Sequence, residues 1–173
     1  MPSLSAPASR LALLLVPFSM PALPQTATLT LSATLLPACE AGSTSGTGAI
    51  SFGTLDFGQY ANLANGISIT SQRGAGSIRV KCLSGQTFSI RLDGGLYGSV
   101  AQRRLANTSN SAQTVAYNLY RDAAGTSLWD NSVGVSATGS GSDQWFPLYG
   151  RIPAQTTPPA GRYSDTVNVT ISW

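Results

Sequence analysis

Few side chains in this sequence are able to carry acid–base or metal chemistry. The 173 residues include no histidine, one lysine and seven acidic residues. Histidine is the commonest general base and the commonest metal ligand, so its absence removes the usual centre of both chemistries. Lys81 lies between Val80 and Cys82 in an alternating run, which places its side chain on the solvated face of a strand. The sequence therefore predicts no catalytic residue and no enzymatic activity.

The acidic residues are predicted to stabilise turns, because aspartate accepts hydrogen bonds from nearby backbone N–H groups. Two alternatives are a carboxylate pair for glycoside hydrolysis and a calcium site at Asp122, Asp130 and Asp143. Their spacing lacks the regularly placed oxygen ligands of a calcium loop. We expect no metal, no cofactor and no small-molecule substrate. The acidic residues are Glu40, Asp56, Asp93, Asp122, Asp130, Asp143 and Asp165.

The N-terminal residues predict an export signal. Arg10 precedes an apolar run from Leu11 to Phe18, which is followed by small residues and prolines. This run is too short to cross a bilayer. We assign residues 1–22 to the signal peptide, with Ala27 as an alternative cleavage position. A buried strand or helix is the other interpretation of the same run.

The two cysteines, Cys39 and Cys82, are predicted to form a disulfide. An exported chain meets an oxidising compartment, where pairing is the default. A bridge closing a loop of this length stabilises the fold by about 4 kcal/mol on the chain-entropy model. A reactive thiol or a metal pair is the alternative, but no histidine or third cysteine is present to complete a metal site.

Both ends of the expected exported chain alternate between apolar and polar residues, the pattern of a half-buried strand. Near the C-terminus, the apolar positions are Val167, Val169, Ile171 and Trp173. Just after the predicted signal, they are Ala27, Leu29, Leu31, Ala33 and Leu35. Strands of this kind suit a subunit that exchanges strands with its neighbours.

The residues between these two runs predict an all-β chain. Short alternating segments recur with glycine, serine or asparagine between them, and no strong 3.6-residue periodicity is visible. Pro147 places its segment at a sheet edge or a bulge, and residues 137–143 read as an exposed loop. This organisation predicts an antiparallel sandwich. The segments are 50–52, 67–69, 78–82, 88–92, 104–106, 115–119 and 145–149.

The charge pattern argues against a nucleic-acid partner. The net charge of +3 comes from nine arginines and one lysine that are scattered singly, apart from Arg103 and Arg104. A nucleic-acid site needs clustered cations with interleaved aromatic residues. Tyr97, Trp129 and Trp145 are candidates for a carbohydrate-stacking surface, and packing in the core or at an interface is the favoured alternative.

Taken in order, these motifs resemble the spore coat protein U domain family, which includes pilin subunits of archaic chaperone–usher pili. The resemblance covers residues 39–173. It rests on Cys39, Phe52-Gly53, Phe57-Gly-Gln-Tyr60, Ile78-Arg-Val-Lys-Cys82, Asp93-Gly-Gly95, Tyr117-Asn-Leu-Tyr-Arg-Asp122, Leu128-Trp129, Tyr149-Gly-Arg-Ile-Pro153 and Gly161-Arg-Tyr-Ser-Asp-Thr-Val167 with the strand that follows it.

The resemblance implies an immunoglobulin-like antiparallel β-sandwich that lacks one strand. Its expected partners are a periplasmic pilus chaperone, an outer-membrane usher and neighbouring pilin subunits. Residues 23–38 would hold the donor strand and the start of the first strand, with Ala27, Leu29, Leu31, Ala33 and Leu35 as the donor side chains. Residues 39–173 would form the pilin domain, with Val167, Val169, Ile171 and Trp173 on the acceptor edge. The protein would pass through the periplasm to a surface pilus or be secreted.

A second function remains open from the sequence. The polar loops and aromatic residues also suit a secreted coat or carbohydrate-binding sandwich that folds alone. The position of signal cleavage bears on the first function, because cleavage after Ala27 leaves a short donor and favours a minor or adaptor subunit. Cleavage after Ala22 leaves more room for a donor strand.

Overall fold

The computed structural model describes residues 32–33, 38–44 and 50–173. The chain divides into two compact units, Met1–Leu35 and Leu36–Trp173. In the first unit the description covers Ser32 and Ala33, which are exposed and lie in no strand. The predicted signal peptide and the donor residues Ala27, Leu29, Leu31 and Leu35 lie outside the described residues.

The second unit is built from β-strands, and its described residues include no helix. A membrane-spanning helix is likewise absent from the described parts of the chain. The strands are β1 (Cys39–Ala41), β2 (Ser43–Thr44), β3 (Ile50–Ser51), β4 (Ile67–Thr70), β5 (Ile78–Cys82), β6 (Thr87–Leu92), β7 (Arg103–Asn107), β8 (Thr114–Tyr120), β9 (Val135–Thr138), β10 (Gln144–Phe146), β11 (Tyr149–Ile152), β12 (Tyr163–Ser164) and β13 (Val169–Ser172).

Every strand pair is antiparallel. One sheet has the order β1-β5-β10, a second has the order β12-β7-β8-β11-β4, and a third has the order β13-β6-β9. Strands β2 and β3 form a separate two-stranded ribbon. The prediction of an all-β antiparallel sandwich-like fold is confirmed.

The first two sheets meet at two breaks along the chain. Residues 71–77 separate β4 from β5, and residues 147–148 separate β10 from β11. The Ser71 N–H donates to the carbonyl oxygen of Leu148 at 2.8 Å, and the Leu148 N–H donates to Ser71 Oγ at 2.7 Å. These bonds replace regular ladder pairing at the break. Pro147 lies there because it lacks an N–H group and ends the edge strand β10 before β11 begins. The sequence predicted this residue at an edge or a bulge.

The core consists of the inward residues of the alternating strands. In β8, Val115, Tyr117 and Leu119 are each at most 5 % exposed, whereas their neighbours in sequence are half-buried. Trp129, at 1 % exposed, is the largest fully buried side chain among the described residues. A period of two therefore sorts side chains between the core and the outer face, as the pattern predicted.

Two local details differ from the sequence prediction. Ala137 and Thr138, predicted to begin a loop, belong to β9 because they pair with Phe88 and Thr87 of β6. The final strand begins at Val169, although the alternation starts earlier. The short strand β12 precedes it and pairs with β7. Tertiary pairing decided both boundaries.

Candidate functional site

The last strand is a sheet edge. β13 pairs with β6 through Val169 opposite Leu92, Thr170 opposite Arg91, Ile171 opposite Ile90 and Ser172 opposite Ser89. Within the described residues no strand pairs with the other side of β13. An edge of this kind presents unpaired N–H and C=O groups that are able to bind another strand.

The apolar side chains of this edge are only partly covered. Val167, Val169 and Ile171 are half-buried and pack against the core cluster. The inward residues of the neighbouring strand β6 (Phe88, Ile90 and Leu92) are by contrast at most 3 % exposed. The core is therefore closed beneath β6 and remains partly open along the terminal strand.

Trp173 was predicted on the same inward row as Val169 and Ile171, but it follows β13 and is 58 % exposed. Its side chain lines a surface pocket of about 300 Å³. The remaining lining residues are Thr87, Phe88, Ser89, Ser136 and Ser172. The indole is therefore accessible beside the hydroxyl-bearing face of this sheet.

Another edge strand lies at the start of the described part of the second unit. β1 pairs with β5 alone, with Cys39 opposite Cys82. The predicted disulfide joins these two residues, and both are at most 5 % exposed. The covalent bond fixes the first strand to β5, which explains how a strand of three residues keeps its place.

The carboxylate of Asp93 holds the residue that precedes β13. Asp93 Oδ1 accepts hydrogen bonds from the backbone N–H groups of Gly95 at 3.0 Å and Asn168 at 2.9 Å. Its Oδ2 accepts a 2.7 Å bond from the Asn168 side-chain amide. Burial alone would raise the pKa of Asp93, but these bonds outweigh it and lower the pKa below the ordinary value.

The carboxylate of Asp165 joins the same segment to the opposite sheet. Asp165 Oδ2 accepts a 2.7 Å bond from the Tyr117 hydroxyl of β8. Its Oδ1 accepts bonds of 2.8 Å from the N–H groups of Leu96 and Thr166. Burial, together with the bond to Asp165, raises the pKa of the Tyr117 hydroxyl, so the phenol stays protonated as the donor.

Arg103 is a buried cation that sequence reasoning did not identify. Its side chain is fully buried and donates to the carbonyl oxygens of Asp93 at 2.6 and 2.9 Å and of Trp129 at 2.8 Å. Desolvation lowers its pKa, and the nearby acidic groups and Tyr117 oppose that shift. No local pattern separates Arg103 from the half-buried Arg104, because the difference arises from the segments that fold over β7.

Asp122 and Asp130 act as predicted, as turn acceptors. Asp122 accepts the N–H groups of Thr126 and Ser127, and Asp130 accepts those of Ser132, Val133 and Gly134. Asp143 forms an ion pair of 2.8 Å with Arg79. Among the described residues no group of three or more histidine, cysteine or acidic side chains is placed to hold a metal. Lys81 is exposed.

The three candidate stacking aromatics have different environments. Trp129 is in the core, where its indole N–H donates to the Ile90 carbonyl oxygen at 3.1 Å. Trp145 is half-buried beneath the guanidinium of Arg73, which lies 5.3 Å from the ring centroid. Tyr97 is 42 % exposed. The favoured prediction of packing therefore holds for Trp129, which is unavailable to a carbohydrate.

The Spore Coat Protein U domain family matches residues 25–170. The chain belongs to this family. The chain is also 36 % identical over 155 residues to Protein U of Myxococcus xanthus, an alignment that covers 86 % of this chain and 84 % of that protein. The resemblance predicted from the ordered motifs is confirmed.

A solved structure with a similar fold comes from a pilus. A chaperone–usher pilus structure that addresses rod uncoiling is 15 % identical, covers 89 % of this chain and 99 % of its own, and has a TM-score of 0.51. The CsuC–CsuE chaperone–tip adhesion subunit complex from Csu pili of Acinetobacter baumannii is 21 % identical with a TM-score of 0.48. That alignment covers 81 % of this chain and 40 % of the solved chain. The similarity to the first structure is one of fold.

Proposed function

We propose that this protein is a structural subunit of a surface pilus, assembled by the chaperone–usher route through donor-strand complementation. One observation carries the proposal: β13 is an edge strand whose inward residues are half-buried. A strand added beside it would pair with the free backbone groups and cover the apolar side chains at once. Membership of the Spore Coat Protein U domain family supports the same role.

The N-terminal run has the composition that such a donor needs. Ala27, Leu29, Leu31, Ala33 and Leu35 alternate with polar residues over nine positions. In a strand these five side chains share one face, while Thr28, Thr30, Ser32 and Thr34 share the other. The apolar row would enter the opening along Val167, Val169 and Ile171 of the preceding subunit, and the polar row would face solvent.

The proposed assembly assigns roles to the rest of the chain. Residues 1–22, or 1–27, direct export and are removed; residues 23–38 hold the donor strand; residues 39–173 form the acceptor domain. A periplasmic chaperone covers the open edge before assembly, and an outer-membrane usher receives the subunit. The fibre then reaches the cell surface. The role requires no catalysis and no cofactor.

A pair of matched double variants tests the donor assignment. Leu29→Asp with Leu31→Asp places two charges on the proposed inward row, whereas Thr28→Asp with Thr30→Asp places the same charges one residue away on the outward row. Because adjacent strand residues point to opposite faces, only the first variant should block insertion. The experiment co-expresses each variant with the chaperone and usher and measures fibre length and subunit oligomers.

The proposal predicts short or absent oligomers for the inward variant and normal oligomers for the outward one. Deletion of residues 23–35 should behave as the inward variant does and leave a chaperone-bound subunit. Normal polymerisation of the deletion variant would show that this segment is not the donor. Equal loss in both double variants would also count against the assigned face.

A secreted coat module that folds alone is the second candidate. It is favoured by the family's own description as a spore coat domain. Expression of residues 23–173 without any chaperone separates the two functions. A soluble monomer with cooperative unfolding supports the coat module, whereas aggregation that is rescued by a chaperone or by a peptide of residues 23–35 supports the pilus subunit.

A further inference from the structure

Three separated sequence motifs converge just before the terminal strand. They are Asp93-Gly-Gly95 after β6, Tyr117 in β8, and Asp165 to Asn168 ahead of β13. We call the hydrogen-bonded set Asp93, Tyr117, Asp165 and Asn168 the latch. The segment is held from two sides, since Asp93, directly after β6, bonds Asn168, and Tyr117 of β8 bonds Asp165.

Asn168 is held at three points by a single residue. Its backbone and side-chain N–H groups donate to the Asp93 carboxylate, and its carbonyl oxygen accepts the Asp93 N–H at 3.1 Å. Asn168 is nonetheless exposed, so apolar burial contributes little to its placement. Polar contacts therefore fix the residue directly before β13.

The turn at Asp93, Gly94 and Gly95 lies close against the Asp165 carboxylate. Gly95 has a φ of 76°, a left-handed conformation that favours glycine. A Cβ added there would collide with the Asp165 carboxylate. Beneath the turn, the guanidinium of Arg103 donates to the Asp93 carbonyl oxygen. Partly buried bonds from Arg103 thus support Asp93 from below, while the bonds from Asp93 to Asn168 are exposed.

We propose that the latch positions β13 for a partner strand while the apolar side chains of β13 are still only partly covered. This inference rests on the proposed pilus function. An edge strand with half-buried side chains lacks much of the burial that orders an interior strand. The latch supplies order from its N-terminal end, so a donor or chaperone strand meets an edge that is already in register. Preorganisation of this kind increases affinity because the partner does not bear the ordering cost.

A charge swap tests the central contact. Asn168→Asp places a second carboxylate against Asp93, so the two repel and the N-terminal end of β13 is released. Adding Asp93→Asn restores a donor–acceptor pair with the roles exchanged. Ser172→Asp is the matched control, because it adds the same charge at an exposed position within β13, where the paired residue Ser89 carries no carboxylate.

Hydrogen exchange of the full exported chain gives the first readout. Asn168→Asp should speed exchange at the β13 amides that pair with β6 by about tenfold relative to Ser172→Asp, with β8 unchanged. The swap Asp93→Asn with Asn168→Asp should restore the slow exchange. Equal exchange in Asn168→Asp and Ser172→Asp, failure of the swap to rescue, or equal loosening of β8 would overturn the latch.

Tyr117→Phe provides an independent test that removes one hydroxyl and keeps the ring in the core. It should speed exchange at Thr166 and at the start of β13, because Asp165 loses its bond to β8. If Asn168→Asp fails to fold, recovery of a folded chain by the swap supports the latch. An unchanged exchange pattern in Tyr117→Phe contradicts it.

Binding of a peptide of residues 23–35 separates the latch from the function on which it rests. Asn168→Asp should weaken peptide binding by about tenfold relative to Ser172→Asp. Normal peptide affinity with fast β13 exchange would overturn the positioning role. If the peptide binds no variant and not the unaltered chain, the pilus function fails, while the exchange data still decide whether the latch orders β13.

Discussion

Strands β8 and β13 have the same alternating pattern and different surroundings. β8 lies between β7 and β11, and its inward residues Val115, Tyr117 and Leu119 are buried. β13 has β6 on one side, and its inward residues Val169 and Ile171 are half-buried. The pattern thus identifies which face of a strand is apolar. The pattern does not show whether that apolar face is covered by the same chain or by another one.

The difference shows how one chain can be folded and still incomplete. Interior strands such as β8 pair on both sides and bury their inward side chains, so the domain holds together. The terminal strand keeps its apolar row partly open, and such a row stays soluble only when another strand or protein covers it. The proposed donor residues have the alternating apolar pattern that such a cover needs.

Loss of the disulfide should give the largest effect on stability. It ties β1, another edge strand, to β5 across a sequence separation of 43 residues. The double variant Cys39→Ser with Cys82→Ser should lower the free energy of unfolding by about 4 kcal/mol, because the unfolded chain regains the entropy of that loop. Chemical denaturation under oxidising conditions measures the loss. A change below about 1 kcal/mol would show that β1 holds its place without the bond.

Truncation of a fully covered residue in β8 should give the next largest effect. Leu119→Ala removes a side chain that is 4 % exposed and leaves a cavity in the core. We expect a loss of about 3 kcal/mol in the free energy of unfolding. The loss should be the same with and without a bound donor peptide, since the cover of β8 comes from the chain itself. Denaturant unfolding in both states makes this comparison.

Truncation of the corresponding residue in β13 should cost less and depend on the donor. Ile171 is half-buried, so Ile171→Ala should lower stability by only about 1 kcal/mol in the isolated chain. The cost should rise when a peptide of residues 23–35 covers the side chain. Thr170→Ala, on the exposed face, is the control and should show no such rise. Equal costs for Ile171→Ala in both states would mean that the donor covers a different surface.

The turn after β8 offers the smallest effect and a test of pH dependence. Hydrogen bonds from Thr126, then Ser127, lower the pKa of Asp122 to about 2. The contribution of this carboxylate to stability is therefore complete above the ordinary aspartate pKa of about 3.9 and falls as the pH drops towards 2. NMR titration of the Asp122 carboxyl carbon measures the midpoint, and Asp122→Asn should remove the corresponding acid step in stability. A midpoint at the ordinary value would contradict the turn geometry.

Much of the fold was predictable from local patterns. The runs at 78–82, 88–92 and 115–119 became β5, β6 and β8 with small changes of boundary, since period-two alternation reports directly on a two-faced sheet. The disulfide was predictable because the chain has two cysteines and an export signal pattern. Strand β12 was missed, since its two residues become a strand only through pairing with β7.

The latch and the buried arginine were not predictable in the same way. Asp93 was expected in a turn and accepts the Gly95 N–H there, but nothing in the sequence indicates that Asp93 and Asp165 both bond at the entry to β13. Arg103 looks like a surface cation beside Arg104, and it is buried because carbonyl oxygens of Asp93 and Trp129 surround it. Such contacts join residues 10 to 75 positions apart, beyond the reach of local pattern.

The sequence by itself determined the all-β class, the inward face of each long strand, the cysteine pair and the family. Each follows from local alternation, composition or ordered motifs. Such patterns are visible in a sequence because short-range sterics and the burial of one strand face determine them. Only the tertiary structure decided that β8 is covered while β13 remains an edge, and that the distant Asp93 bonds Asn168 just ahead of that edge. Those properties depend on which strands become neighbours, because pairing and cover arise between segments rather than within them.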